Sequence, residues 1–300
     1  MTQFNPTHRP NFYLLGHRGM RAECLENSQL GFVHAQQLRP TLNGVEFDVQ
    51  LTADHELVVV HDAHLQRLGG LQRSIYQSTL AQLQTIPQSD WAKFYLSKNP
   101  EFLAQPILPL VDLFPLLTSY EHIELEVKTH QASDYQALAR ALFNVLDDPD
   151  WHALNITITS FDTAFLTAFL SLAQHLYGAK LPLKTGLLLE PKTTLASEIA
   201  FLPTDLSQIY TVCNLACRLG CSQIGVYFAL ITPELVQIAQ RFNLTVTAWT
   251  VNEIAIAKRL ISWGVTTIIT DFPSEFCRLL TELTQPSKLS IQQKLTGRQT

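Results

Sequence analysis

Charge is scarce in this 300-residue chain: Asp, Glu, Lys and Arg together make up 16% of it. The little there is leans acidic, to a net −5, so the basic excess that engages nucleic-acid phosphates is missing. No run of about eighteen apolar residues is present, which removes a membrane-spanning helix from the expectations. The opening MTQFNPTHRPNF has no apolar core of the signal-peptide kind, and a cytoplasmic location is the default expectation. The five cysteines (Cys24, Cys213, Cys217, Cys221 and Cys277) lack CxxC spacing. Cys213, Cys217 and Cys221 fall on one face of a helix running into the next strand, and read as small buried side chains rather than a metal site. No glycine-rich dinucleotide or phosphate fingerprint follows any apolar run.

What the chain does have is apolar residues, 46% of the total, in a regular alternation of strand-like and helix-like segments. Strands are expected at Phe12–Gly16, Gly44–Leu51, His122–Lys128, Asn155–Ser160, Leu183–Glu190, Ser222–Phe228, Leu244–Thr250 and Thr266–Thr270. Helices are expected between them, the first over Ser28–Leu38 behind an Asn27 cap, others at Asp162–Leu176 and at Thr232–Phe242, with Pro233 at its first position. Strand–helix alternation implies parallel strands with crossover helices. Eight such units in about 270 residues fit a (β/α)8 TIM barrel, with the open doubly wound sheet as the alternative, because periodicity cannot show closure. Between the second and third of these strands the pattern weakens from Ala63 to Pro106, with one short helix expected at Thr79–Thr85. That stretch reads as an insertion with a small structure of its own. A single barrel domain over residues 1–284 is expected, with a flexible tail over 285–300.

The stretch Val45–Asp62, VEFDVQLTADHELVVVHD, is the most informative. Val45, Phe47, Val49 and Leu51 alternate with Glu46, Asp48 and Gln50, the period of a strand with one apolar face. Side chains two apart point the same way, so Glu46 and Asp48 converge. Two ionised carboxylates that close need a shared proton, a cation or a metal. A turn and a second apolar run follow, ending in His61-Asp62, and an imidazole there is a candidate acid–base group.

In a barrel of this kind the chemistry sits at the C-terminal ends of the strands. The first strand end carries His17 and Arg18, the second Glu46 and Asp48, the third Glu126 and Lys128, the seventh Trp249, and the eighth Asp271. Oxygen ligands from Glu46, Asp48 and Glu126 suit a hard divalent ion, Mg²⁺ or Ca²⁺. Arg18 and Lys128 suit a phosphate, and two histidines suit an acid–base pair. Trp249 is a candidate substrate contact, suited to stacking on a glycerol or headgroup. Glu124 lies deeper and suits an internal hydrogen bond.

GHRG (Gly16–Gly19), LENS (Leu25–Ser28), VEFDVQLTADHELVVVHD, ELEVK (Glu124–Lys128), TSF (Thr159–Phe161), WTVN (Trp249–Asn252) and GVTTIITDFP (Gly264–Pro273) stand in an order and spacing that resembles the glycerophosphodiester phosphodiesterase family. The resemblance spans roughly Phe12 to Leu283. It implies a (β/α)8 barrel with a small insertion after the second strand and a divalent ion at Glu46, Asp48 and Glu126. It also implies acid and base roles for His17 and His61, with Arg18 and Lys128 near the phosphate. The family usually has PENT where this chain has LENS. It also has proline after the His-Asp pair and Arg-Thr-Thr soon after, where Ala63 and Arg67-Leu68-Gly69 stand here. These departures touch the insertion and its hinge, and so the leaving-alcohol side.

The expected activity is metal-dependent hydrolysis of a small-molecule glycerophosphodiester to glycerol 3-phosphate and an alcohol. One histidine would deprotonate the nucleophile and the other would protonate the leaving alcohol. The alternatives are a lysophospholipase D-like reaction on lysophospholipids and an inactive barrel used as a binding module.

Overall fold

The computed structural model describes residues 12–178, 183–190 and 206–284. Its first two strands, β1 (Tyr13–His17) and β2 (Gly44–Leu51), run parallel and begin a sheet that closes on itself. Two short strands, β3 (Leu57–Val59) and β4 (Leu108–Pro109), extend it antiparallel beside β2. The other six are β5 (His122–Val127), β6 (Ile156–Ser160), β7 (Lys184–Leu189), β8 (Gln223–Tyr227), β9 (Thr245–Trp249) and β10 (Thr267–Thr270). Every neighbouring pair among the eight long strands is parallel, and β1 pairs with both β2 and β10. The sheet is therefore a closed (β/α)8 barrel, and the open-sheet alternative is excluded.

Alternation along the strands builds the two faces. Val45, Phe47 and Val49 on β2 and Ile123, Leu125 and Val127 on β5 are buried in the main apolar core beneath the surrounding helices. Glu46, Asp48 and Gln50, and Glu124 with Glu126, point the other way. The strand limits match expectation to within a residue or two, as do several helix starts. Asp162 accepts from the backbone N–H groups of Ala164 and Phe165, and Pro233 opens its helix. One cap differs. Helix α1 (Gln29–Gln37) is capped by Ser28, whose hydroxyl accepts from Gly31 N, and not by Asn27. Asn27 takes a left-handed backbone, φ 53°, and its amide turns to Asp48 instead.

The stretch expected to be an insertion contains four short helices rather than one: α2 (Gln66–Gly69), α3 (Leu80–Gln84), α4 (Gln88–Trp91) and α5 (Lys93–Lys98). The one foreseen is α3, closed by a capping box between Thr79 and Gln82. The other three span four to six residues each, less than two turns, so no periodicity could reveal them. They pack on a second apolar cluster of Leu65, Leu68, Ile75, Leu83, Trp91 and Ile107, which reaches the rest of the chain through Val58, Val60 and Leu25. No described helix is long and apolar enough to cross a membrane. The expected tail at 285–300 lies outside the described residues.

A separate cluster implies separate local stability. Trp91 is buried, and its indole N–H donates to the Gln105 carbonyl at 2.6 Å. Trp91→Ala should remove about 3–5 kcal/mol of packing from the insertion. Amide exchange should then speed up across α2 to α5 while β5 to β10 keep their protection. Equal loss of protection in the barrel strands would show that the insertion and the barrel unfold as one.

Candidate active site

The turn after β1 shapes the first corner of the site. A side chain on Gly16 would collide with the Gly19 carbonyl, so only glycine lets the backbone double back there. Arg18 itself sits at φ 51°, a conformation non-glycine residues rarely hold without support. Support comes from its N–H, which donates to Glu46 Oε2 at 3.1 Å, and from its carbonyl, which accepts from Asn27 N at 3.0 Å. The guanidinium then points inward. Nη1 donates to Glu26 Oε1 at 2.8 Å and Nε lies 3.2 Å from Asp48 Oδ2.

Strand register brings the acids together. Glu46 pairs across from Glu124, and Asp48 from Glu126. Ligand-type oxygens of Glu46, Asp48 and Glu126 lie within 4.8 Å of one another, all three buried. Lys128 Nζ donates to Glu126 and lies 3.2 Å from Asp48 Oδ1. The balance of forces differs along the cluster. Burial and then the charges of Asp48 and Glu126 push Glu46 well above the usual carboxylate range. Burial would raise Asp48 too, but Lys128 and Arg18 outweigh it and hold that group well below its usual range. Burial raises Glu126 despite Lys128 beside it.

The donor set fits a cation. Asp48 Oδ1 is buried without a hydrogen-bond partner and faces Lys128 only as an ion pair. A buried carboxylate oxygen left in that state has a free lone pair for a ligand. Three oxygen donors, with no sulfur or imidazole among them, suit Mg²⁺ or Ca²⁺ in kind.

His17 reaches this cluster directly, and His61 lies near enough for its charge to act on Asp48 and Glu126. His17 Nδ1 hydrogen-bonds Asp271 Oδ1 at 2.6 Å, and its Nε2 lies 3.8 Å from Glu46 Oε2. Burial lowers its pKa, and the bond to Asp271 only partly opposes that. His61 Nδ1 hydrogen-bonds Asp62 Oδ1, also at 2.6 Å. Gln50, the third polar residue of β2, donates to the carbonyls of Val60 and His61, which ties the histidine's backbone to the acidic strand. In each ring the Nδ1 bond to a carboxylate leaves Nε2 as the nitrogen able to exchange a proton.

Trp249 shares a narrow cleft on the barrel axis with His17, Glu46 and Glu126. It meets Phe161 and Tyr227 edge-on, with ring centroids 5.5 and 5.7 Å away, and Lys128 lies over the Phe161 ring. Glu124 forms the floor and accepts from Thr247 Oγ1 at 2.7 Å, the internal bond foreseen for it. The structure adds Asp271 to the site, held by the Asn252 amide at 2.9 Å. Sequence reasoning placed Asp271 at a strand end but gave it no partner. The missing signal was closure: β10 pairs with β1, Gly16 beside Thr270, which puts the next residues, His17 and Asp271, together.

These features define a (β/α)8 barrel with two carboxylate-held imidazoles and a cluster of three carboxylates at its C-terminal mouth. The chain matches the glycerophosphoryl diester phosphodiesterase family over residues 17–275, and it belongs to that family. It is 25% identical over 268 residues to a glycerophosphodiester phosphodiesterase of Caldanaerobacter subterraneus, covering 89% of this chain and 97% of that one. It is 24% identical over 267 residues to a glycerophosphodiester phosphodiesterase of Bacillus subtilis, covering 87% of this chain and 84% of that one. Its fold resembles an Oleispira antarctica phosphodiesterase solved with the product sn-glycerol-3-phosphate, with a TM-score of 0.69, 20% identity and coverage of 90% and 96%.

The raised Glu46 carboxyl has a consequence for stability. A carboxyl whose folded pKa exceeds its unfolded value favours the native state at low pH, and that contribution is lost as pH rises through the folded value. The metal-free protein should therefore lose thermal stability from about pH 4.5, the unfolded value, upward through the raised one. Glu46→Gln, which keeps the shape but cannot ionise, should flatten that decline and melt no lower than wild type at pH 7. It should also bind Mg²⁺ or Ca²⁺ more weakly in calorimetric titration. Parallel melting curves of the two metal-free proteins against pH would contradict the repulsion.

Proposed function

We propose that this chain hydrolyses glycerophosphodiesters to glycerol 3-phosphate and an alcohol, with His17 and His61 as acid–base residues and a divalent ion at Glu46, Asp48 and Glu126. The observation that carries the reading is the presence of two imidazoles, each fixed through Nδ1 by a carboxylate, near a buried oxygen cluster with Lys128 and Arg18 beside it.

Bound at the three carboxylates, Mg²⁺ or Ca²⁺ would supply charge neutralisation for the phosphoryl oxygens. The remaining steps belong to the chain. Arg18 and Lys128 hold the phosphate and offset charge that builds on it. His17, kept neutral by burial, takes the proton of the nucleophile through Nε2 while Asp271 steadies the forming imidazolium. The nucleophile is water or the substrate's own glycerol hydroxyl, and in the latter case a cyclic phosphate forms that water then opens. His61, on the insertion side, protonates the departing alcohol, with Asp62 holding its ring. Trp249 and the rings around it form an apolar wall against which the glycerol carbons lie.

A panel of glycerophosphodiesters and lysophosphatidylcholine, each assayed with Mg²⁺, Ca²⁺ and Mn²⁺, tests the reading. Release of glycerol 3-phosphate is expected, with phosphorus NMR reporting any cyclic intermediate. Turnover of lysophosphatidylcholine alone would move the assignment to a lysophospholipase D-like reaction, and turnover of none would leave a binding module. Activity should vanish in excess chelator and return with the ion. Full activity after verified metal removal would end the metal assignment.

His17→Ala and His61→Ala should each lower kcat by about 10²–10⁴ with little change in melting temperature. The double variant should lose far less than the product, since the two act as a unit. Near-normal turnover in either single variant would remove that residue from the mechanism.

A further inference from the structure

Glu26 is a buried carboxylate, 1% exposed, that sequence reasoning quoted only as part of a motif. Its two oxygens meet three guanidinium groups. Oε1 accepts from Arg18 Nη1 at 2.8 Å and from Arg67 Nη2 at 2.7 Å. Oε2 accepts from Arg67 Nη1 at 3.1 Å and lies 3.4 Å from Arg21 Nε. Burial alone would raise its pKa, yet Arg18 and Arg67 bring it down to about 2.

Each arginine leads to a different working part. Arg18 lies against Asp48. Arg67 donates through Nε to Asp62 Oδ2 at 2.5 Å, and Asp62 holds His61. Arg21 Nη1 reaches both oxygens of Asp271 at 3.5 Å, and Asp271 holds His17. One carboxylate thus stands at the junction of three arms that end at the two imidazoles and at the carboxylate cluster. The arms also bridge two packing units, since Arg67 lies on α2 of the insertion and His17 ends β1 of the barrel.

Burial alone does not fix the His61 arm, where the His61 side chain is 31% exposed and that of Arg67 41% exposed. A bidentate guanidinium–carboxylate pair fixes direction as well as distance. We propose that Glu26 is a positioning residue for the phosphodiesterase reaction: through Arg67 and Arg21 it sets the orientation of both histidines, and through Arg18 the guanidinium at the phosphate. The proposal rests on the acid–base roles given above for His17 and His61.

The test combines turnover of glycerophosphocholine by the metal-loaded enzyme with nitrogen NMR of the histidine rings, which needs no turnover. Glu26→Gln keeps the shape and removes the charge. It should lower kcat by about 10–100-fold and raise KM, and shift the Nδ1 signals of both His17 and His61. Arg67→Met, at a half-exposed site that tolerates change, cuts one arm. It should lower kcat by about 10-fold with KM steady, and shift His61 alone. Arg67→Lys should recover part of that loss. If Glu26→Gln does not fold, Glu26→Asp keeps the charge but retracts it, and should move both rings in the same direction by less. Folded Glu26 variants with unmoved ring signals and kcat within about twofold of wild type would reduce Glu26 to a structural ion pair. So would Arg67→Met that leaves His61 unmoved. Wild-type protein without turnover would instead defeat the proposed function, and the ring signals would still decide the role of Glu26.

Discussion

Mutual repulsion among Glu46, Asp48 and Glu126 is the constraint to which the rest of the molecule answers. Two unit charges about 4 Å apart interact by about 4 kcal/mol at an effective dielectric of 20. Three buried carboxylates within 4.8 Å therefore create a strain that surface solvation cannot relieve. Lys128 and Arg18 relieve part of it, and both are held inward, away from solvent. Their attention is uneven. For Asp48 the two cations outweigh burial and hold its pKa well down, whereas for Glu46 burial and then the charges of Asp48 and Glu126 outweigh the same cations and push its pKa well up. A divalent ion bound among these carboxylates would favour their ionised forms, and its binding would release any proton they had taken up.

Holding charge in place requires apolar purchase on the other side of the same strand. Val45, Phe47 and Val49 are fully buried, each contributing about 1.5–3 kcal/mol. A one-residue slip of β2 would bury the acids among the helices and point those apolar groups into the barrel, so the register is fixed by both faces at once. Phe47 meets Phe32 of α1 edge-on at 5.8 Å, which ties the helix following the GHRG turn to the outer face of the acidic strand. The backbone of Arg18, in turn, hangs from the Glu46 carboxylate. Fold and site are thus two sides of one alternating segment.

That is why so much of the site was legible in the sequence. Alternation over Val45–Leu51 announced convergent carboxylates, and the strand rhythm announced which ends would lie together. Legibility ended where contacts depended on closure or on very short elements. Asp271 meets His17 only because the last strand returns to the first. Asn27 looked like a helix cap, as asparagine before a helix usually does, but the Asp48 carboxylate on β2 competed for its amide and Ser28 took the cap. The helices α2, α4 and α5 span less than two turns each, and their apolar residues are set by a shared cluster instead of a repeating pattern.

The division between that cluster and the barrel core bears on how the two histidines relate. His17 follows a strand locked between two neighbours in the barrel wall. His61 follows β3, at the edge where the insertion begins, and its ring is held by Asp62, to which Arg67 donates in turn. Small elements with few buried contacts open at lower free energy than a closed barrel. His17, the carboxylates and the cations are fixed to the barrel, whereas His61 is tied to it through Asp62, Arg67 and Glu26. The departures of this chain from its family's usual pattern, at Ala63 and Arg67-Leu68-Gly69, fall at the insertion end of that tie.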